Sequence, residues 1–270
     1  MGVVLAALQQ LACAVSITDI QGASFLSPLL GQKVHNLTGI VTAKVRLQVF
    51  SQSFTRVTDH TRAVRTVSQS TDSGFWIQGT PSKDVRVSHG LQIYTTSTTI
   101  LAQVSVGDEI SLSGTVAEFR SSGSPNNLFI TEIGSPANIT VLSSNHTVAP
   151  LVLGKGGKRS PPTQRMSALD TGRDGWLGVP NNKSLVEVTN ATLRPDQFGL
   201  DSWASLEGQL VTIKKPVSLD FENSFGEFWV HGDWKVTGKN GRGGLTITSG
   251  ECLTAWSFRA ASNGLGACRK

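Results

Sequence analysis

Apolar and polar residues alternate with a period of two over much of the chain. Val45, Leu47 and Val49 are interleaved with Lys44, Arg46 and Gln48, and Ile110, Leu112, Gly114 and Val116 with Ser111, Ser113 and Thr115. Strands with one buried face require this spacing, because successive side chains point to opposite sides of a sheet. Further strands are predicted over 74–79, 91–95, 127–133, 185–188, 206–213, 227–230, 235–238 and 244–248, with Gly, Pro, Asn and Ser punctuating the gaps. Helical spacing is nearly absent; only 195–205, entered after Thr192, predicts one or two turns. Many short strands separated by turn residues predict an all-β protein of the barrel or sandwich type.

Two stretches repeat one another. Gly31-Gln32-Lys33-Val34 is echoed by Gly208-Gln209-Leu210-Val211, and Gly74-Phe75-Trp76-Ile77-Gln78-Gly79 by Gly226-Glu227-Phe228-Trp229-Val230-His231-Gly232. In each copy a Gly-Gln-x-Val strand precedes one centred on Phe-Trp-aliphatic. The interval is longer in the first copy, and the excess is 51–73, rich enough in Ser, Thr and Arg to predict a mobile surface loop. Between the copies, 154–164 (GKGGKRSPPTQ) lacks apolar periodicity and reads as a linker. The predicted organisation is a leader over 1–15, a β-barrel over 16–145, a Gly/Pro/basic linker over 146–168, a smaller second β module over 169–248 that need not close, and an irregular tail over 249–270.

A chain of 270 residues with 39% hydrophobic and 16% charged residues is long enough to bury a core, and its composition excludes a coiled coil, collagen and wholesale disorder. The apolar run over 2–8 stops at Gln9 and Gln10, far short of the ~20 residues a membrane-spanning helix needs, so no membrane partner is expected. The net charge of +5 is unevenly spread. Lys33, Lys44, Arg46, Arg56, Arg62 and Arg65 share their stretch with a single acid, Asp59, and Lys155, Lys158, Arg159 and Arg165 form a second basic cluster. A solvated surface with a basic linker accounts for such runs, and so does a polyanionic partner.

Of the three cysteines, Cys13 falls in the leader-like segment and Cys252 and Cys268 in the tail, which predicts no disulfide framework in the body of the chain. Ala12-Cys13-Ala14 offers a small-x-small cleavage site after Ala14, although no Lys or Arg precedes it. Asn-x-Ser/Thr sequons at Asn36, Asn138, Asn145, Asn182 and Asn190 are candidate glycan acceptors. Together these predict a secreted glycoprotein. Enzyme constellations fail on spacing: 154–160 is not G-x-x-x-x-G-K-[ST], no Gly-x-Ser-x-Gly elbow occurs, and His35, His60, His89, His146 and His231 lack the spacing of zinc ligands.

The runs Ile17-Thr18-Asp19-Ile20-Gln21-Gly22, Ser27-Pro28-Leu29-Leu30-Gly31-Gln32-x-Val34, Thr38-Gly39-Ile40-Val41-Thr42, Gly74-Phe75-Trp76-Ile77-Gln78 and Val106-Gly107-Asp108-Glu109-Ile110 through Glu118 resemble the N-terminal region of secreted extracellular nucleases, bacterial and fungal. The resemblance spans 17–133 and continues more weakly over 176–248, through Glu207-Gly208-Gln209-x-Val211 and the Gly-Gly-Leu-Thr-Ile-Thr of 243–248. It implies two OB-fold-like β-barrel modules preceding a metal-dependent endonuclease/exonuclease/phosphatase domain. Catalysis in that class implies a carboxylate-held Mg²⁺, an Asn/Asp cluster and an Asp–His pair that orients water. No stretch of this chain carries that set: Thr58-Asp59-His60 resembles the Asp–His pair only in composition and sits in the polar insertion. Neither catalytic residues, metal ligands nor a cofactor are therefore expected in this chain, and the tail after Thr248 is expected to be a gene-model artefact.

Binding remains as the expected activity. OB barrels hold single strands by stacking bases on exposed aromatics and tracking phosphates with Lys and Arg. Phe75/Trp76 and Phe228/Trp229 place one ring on each side of their strands, so the expected DNA or RNA face combines Trp76 and Trp229 with Lys44, Arg46, Arg56, Arg62 and Arg65. Two other classes fit the same residues: a structural module that folds against a nuclease domain, and a carbohydrate-binding module that also uses exposed tryptophan.

Overall fold

In the computed structural model the described residues are 15–45, 62–66, 74–122, 127–163, 189–219, 229–236, 238–242 and 245. Five strands close a barrel: β1 (Lys33–Val45), β3 (Gly74–Gln78), β4 (Gly90–Tyr94), β6 (Ile130–Ser143) and β5 (Glu109–Phe119), hydrogen-bonded in that order and back to β1. Every pairing is antiparallel except β4 with β6. Two short helices, α1 (Ile17–Gln21) and α2 (Thr98–Gln103), contribute Ile17, Ile20 and Leu101 to the barrel core. That core is the inward half of each strand: Val34, Leu37 and Val41 from β1, Phe75 and Ile77 from β3, Leu91 and Ile93 from β4, Ile110, Leu112 and Val116 from β5, and Ile133 from β6. Each such side chain contributes about 1.5–3 kcal/mol on burial; the alternation read over 110–116 follows the inward positions of β5, whereas that read over 44–49 falls mostly outside the described residues.

The helices are placed by capping rather than by amphipathic length. Ser16 Oγ accepts from the Asp19 amide at 3.2 Å while the Ser16 amide donates to Asp19 Oδ2 at 2.9 Å, a reciprocal capping box that starts α1. The Ser16 hydroxyl also donates to Asp19 Oδ2 at 2.6 Å, and this bond, with that from the Ser16 amide, holds the Asp19 carboxyl below its ordinary range. Ser97 Oγ accepts from the Ile100 amide and starts α2.

The second unit gathers a three-stranded sheet in the order β2 (Arg62–Thr66), β8 (Leu210–Lys214), β7 (Leu151–Leu153), and a two-stranded ladder of β9 (Val217–Ser218) with β10 (Val230–His231). Helix α3 (Gly199–Ala204) precedes β8, within the predicted 195–205. Leu153, Trp203, Leu206, Val211, Ile213, Val230 and Trp234 form its core, with the Trp203 and Trp234 rings edge-on at 6.2 Å. Among the described residues these sheets do not close into a second barrel.

Three expectations change. The segment 146–168, read as a linker, supplies β7, which pairs in parallel with β8 and buries Leu153; three consecutive apolar residues in a parallel strand leave no alternation to detect. The insertion 51–73, read as a mobile loop, contains β2, whose backbone pairs with β8 from Arg62 opposite Lys214 to Thr66 opposite Leu210. The strand expected over 235–238 is absent from its described residues, 235, 236 and 238, where Trp234 instead packs its ring over Gly232.

Candidate functional site on the outer face of the barrel

Alternation along β3 and β4 turns Phe75, Ile77, Leu91 and Ile93 into the barrel and leaves Trp76, Gln78, Gly90 and Gln92 facing out. Register then sets these four in two rows, Trp76 opposite Gln92 and Gln78 opposite Gly90, and Glu132 of β6 continues the first row beside Gln92. A barrel's outer face meets solvent unless something lies on it. Here Trp76 is 1% exposed, Gln78 4% and Gln92 1%.

The second unit lies over the Gln78–Gly90 row. The Leu210 amide donates to Gln78 Oε1 at 2.9 Å, Gln209 Nε2 donates to Ser88 Oγ at 3.1 Å, and Ser88 Oγ donates to the Glu207 carbonyl at 2.5 Å. The Thr131 amide donates to Glu207 Oε1 at 2.6 Å. Gly90 and Gly208 meet backbone to backbone: a Cβ on Gly90 would lie 2.2 Å from the Gly208 carbonyl carbon, and Gly208 itself has φ +68, which glycine adopts without strain. A second set of contacts lies beside α1, where Asn190 Oδ1 accepts from the Leu26 amide, the Leu193 amide donates to the Ala23 carbonyl, and Ser24 bridges Thr192.

The seam is polar, and it is not fully satisfied. Both amide atoms of Gln92 are buried without a hydrogen-bond partner among the described residues. Each unpaired buried polar group costs about 1–3 kcal/mol.

The residues expected to form a nucleic-acid face are not gathered on one open surface. Trp76, expected outside, does point outward but is 1% exposed; local periodicity reports the side of the strand and not whether that side is open. Lys44 is committed elsewhere, its ammonium donating to the carbonyls of Leu101 at 2.7 Å and Val104 at 2.6 Å and so closing the C-terminal end of α2. Arg62 and Arg65 lie on β2, with Arg65 opposite the buried Val211 in the ladder. Trp229 is half-buried, its carbonyl accepting from the Leu219 amide at 2.7 Å. Arg46, Arg56 and the Asp59-His60 pair lie outside the described residues. In the second basic cluster Arg159 turns inward to donate to Ser205 Oγ at 2.7 Å, and burial lowers its pKa.

Four of the sequon asparagines, Asn36, Asn138, Asn145 and Asn190, are exposed and adopt positive φ (54°, 53°, 67° and 44°); Asn182 lies outside the described residues. Asn tolerates the left-handed region better than most residues, so these positions have a backbone reason to be asparagine as well as a chemical one. Among the described residues no cluster of His, Cys, Asp and Glu suited to a metal ion is found, and no helix is long and apolar enough to cross a membrane. Ser143, His146 and Glu109 share hydrogen bonds at one exposed strand end, but the Ser143 hydroxyl and the Glu109 carboxylate both approach His146 Nε2, at 2.7 and 3.8 Å. A carboxylate on that nitrogen does not orient the ring as a nucleophile's base requires.

Sequence reasoning missed Gln78, Ser88, Gln92, Glu207 and Gln209, although uncharged amides on the outward positions of two neighbouring strands are the available signal of a covered polar face. A family model described as a domain of unknown function, DUF8508, matches residues 152–256. The match covers α3 and β8 to β10 and most of β7, begins within the segment read as a linker, and runs beyond 248 into the segment read as an irregular tail. No curated protein and no solved structure matches the chain.

Proposed function

We propose that this chain is the non-catalytic β region of a secreted nuclease-type protein and serves as a structural module, the second unit locked onto an OB-fold barrel, on which a metal-dependent phosphodiesterase domain is positioned. The strand order β1-β3-β4-β6-β5 with its one parallel pair and α2 between β4 and β5 supports the OB reading. The observation that carries the structural role is the closure of the β3–β4 face, with Trp76 1% exposed and Gln78 bonded to Leu210. An OB barrel that binds single strands on this face needs it open. Four exposed sequon asparagines support a glycosylated, extracellular setting.

Titrating the purified chain with labelled DNA and RNA oligonucleotides at low salt tests this role. No saturable binding is expected, and plasmid DNA stays uncut with Mg²⁺, Mn²⁺ or Ca²⁺. Saturable binding by the native chain that falls steeply with salt overturns the structural reading in favour of direct nucleic-acid binding, and metal-dependent cleavage that survives repurification overturns the non-catalytic one.

A further inference from the structure

We propose that N-linked glycans on Asn138 and Asn145 cover the open edge of β6 and keep a second copy of this chain from pairing with it. The inference rests on the extracellular, glycosylated setting of the proposed function and assigns a task to two of the glycans.

The register of β6 carries it. On one side the strand pairs with β5 along its whole length, from Ile130 opposite Phe119 to Ser143 opposite Glu109. On the other it pairs with β4 only through Glu132 and Ile133, so among the described residues its edge over 134–143 has no neighbouring strand. Proteins guard such edges with charges, prolines and bulges, because an open ladder templates pairing with another chain. Here Pro136 and a bulge guard the first part: Ala137 faces Ser113 and Thr140 faces Ser111, so Asn138 and Ile139 together stand against Leu112. Past the bulge these guards end. Ile139-Thr140-Val141-Leu142-Ser143 is β-branched and aliphatic, spans about 16 Å at the rise of a strand, and leaves Val141 40% and Leu142 53% exposed. No Asp, Glu, Lys or Arg occurs between Glu132 and Lys155. The Glu109 carboxylate, which accepts from Ser143 Oγ at 2.7 Å, belongs to β5 and not to the open edge. An uncharged segment of high β-propensity on an exposed edge is an association hazard, and this one is bracketed by sequons. Asn138 sits in the bulge and Asn145 just past the strand's end, held there as Ser144 Oγ donates to Asp108 Oδ1 at 2.7 Å and the His146 amide to the Gly107 carbonyl at 2.9 Å. Both asparagines are exposed, as are Thr140 and Thr147 of their sequons. A glycan at each end has only half of the unguarded stretch to cover.

The test compares the full chain made in a eukaryotic secretory host with the same chain made in the bacterial cytosol, where no glycan is added. Peptide mass mapping of the secreted chain should find glycan on Asn138 and Asn145, and light scattering should find it monomeric. The unglycosylated chain should associate, its apparent mass rising with concentration to at least a dimer. Leu142→Lys in the unglycosylated chain should weaken that association on the order of ten-fold or more, because pairing would bury the new charge against its copy, with the melting temperature of the monomer unchanged. A secreted variant that loses the other three sequons through Thr38→Ala, Ser184→Ala and Thr192→Ala should stay monomeric. Should the bacterial chain not fold, trimming the secreted chain with an endoglycosidase that leaves one sugar per site supplies the comparison. A secreted chain without glycan on Asn138 and Asn145 overturns the proposal together with its glycosylated setting. An unglycosylated or trimmed chain that stays monomeric overturns the proposal and leaves that setting intact. Association that Leu142→Lys does not relieve, or that the three-sequon variant also shows, puts the contact or its shield elsewhere and overturns it too.

Discussion

At the scale of single residues, the position of Trp76 is decided twice, once by strand parity and once by what lies on the strand. Parity sends it outward, and it is nevertheless buried almost as deeply as its inward neighbour Phe75. Trp76→Ala should therefore lower the stability of the native chain by about 3–5 kcal/mol, as for other large cavities, a drop that thermal melting reads directly. His89 lies between Ser88 and Gly90 at the seam, and burial lowers the pKa of its imidazole from the ordinary 6.5. A histidine whose folded pKa is depressed binds fewer protons folded than unfolded, so its folded neutral form adds nothing above pH 6.5 and costs stability as pH falls below it. Melting temperature should accordingly fall on acidification from about pH 6.5, and His89→Gln should flatten that part of the profile. An unchanged slope in the variant contradicts the assignment. The sequon asparagines carry a related warning. Because Asn36, Asn138 and Asn145 have positive φ, replacing them by Ala or Gln adds backbone strain to the loss of a glycan, and Asn→Asp or Asn→Gly separates the two effects.

At the scale of elements, the barrel strands were legible because each buries one face. The predicted 74–79 and 91–95 correspond to β3 and β4, and the alternation over 110–116 lies inside β5. What escaped has specific causes. Helices α1 and α2 are too short to show a 3.6-residue period, and only their serine caps mark them. Strand β7 is uniformly apolar and follows the long β6 closely. Strand β2 lies in an insertion of the first module but pairs with the second, a partnership between distant segments that no local pattern encodes. This pairing has a consequence for engineering: β2 occupies the free edge of β8, which open sheets otherwise present to other chains. Replacing 51–73 by a short turn should leave that edge unpaired and produce concentration-dependent association, visible by light scattering, whereas a monomer of unchanged stability would show that β2 is dispensable. Lys44 belongs to this scale too, since its side chain ties β1 to the end of α2 rather than standing free as a phosphate contact.

At the scale of the molecule, the echo between Gly31-Gln32-Lys33-Val34 and Gly208-Gln209-Leu210-Val211 has a physical meaning in both places. Each glycine has positive φ, +79 and +68, and turns the chain into a strand whose valine is buried, Val34 in the barrel core and Val211 in the second core. The copies part in what the glycine faces: Gly31 has open space around its missing Cβ, whereas Gly208 is pressed against Gly90. The same motif thus starts a strand in one unit and, in the other, starts a strand and docks it. That difference makes the whole chain, rather than the barrel, the stable object. Expressed alone, 15–150 would lose the contacts that the second unit makes with Gln78, Ser88, Gly90 and Thr131, and apolar surface freed with them promotes association. The isolated barrel is expected to bind a hydrophobic dye and to melt below the full chain, and adding the second unit in cis should restore both properties. A barrel that stays monomeric, dye-free and equally stable would mean that the second unit covers the face without contributing to the fold, and the polar seam would then have to be explained by binding alone.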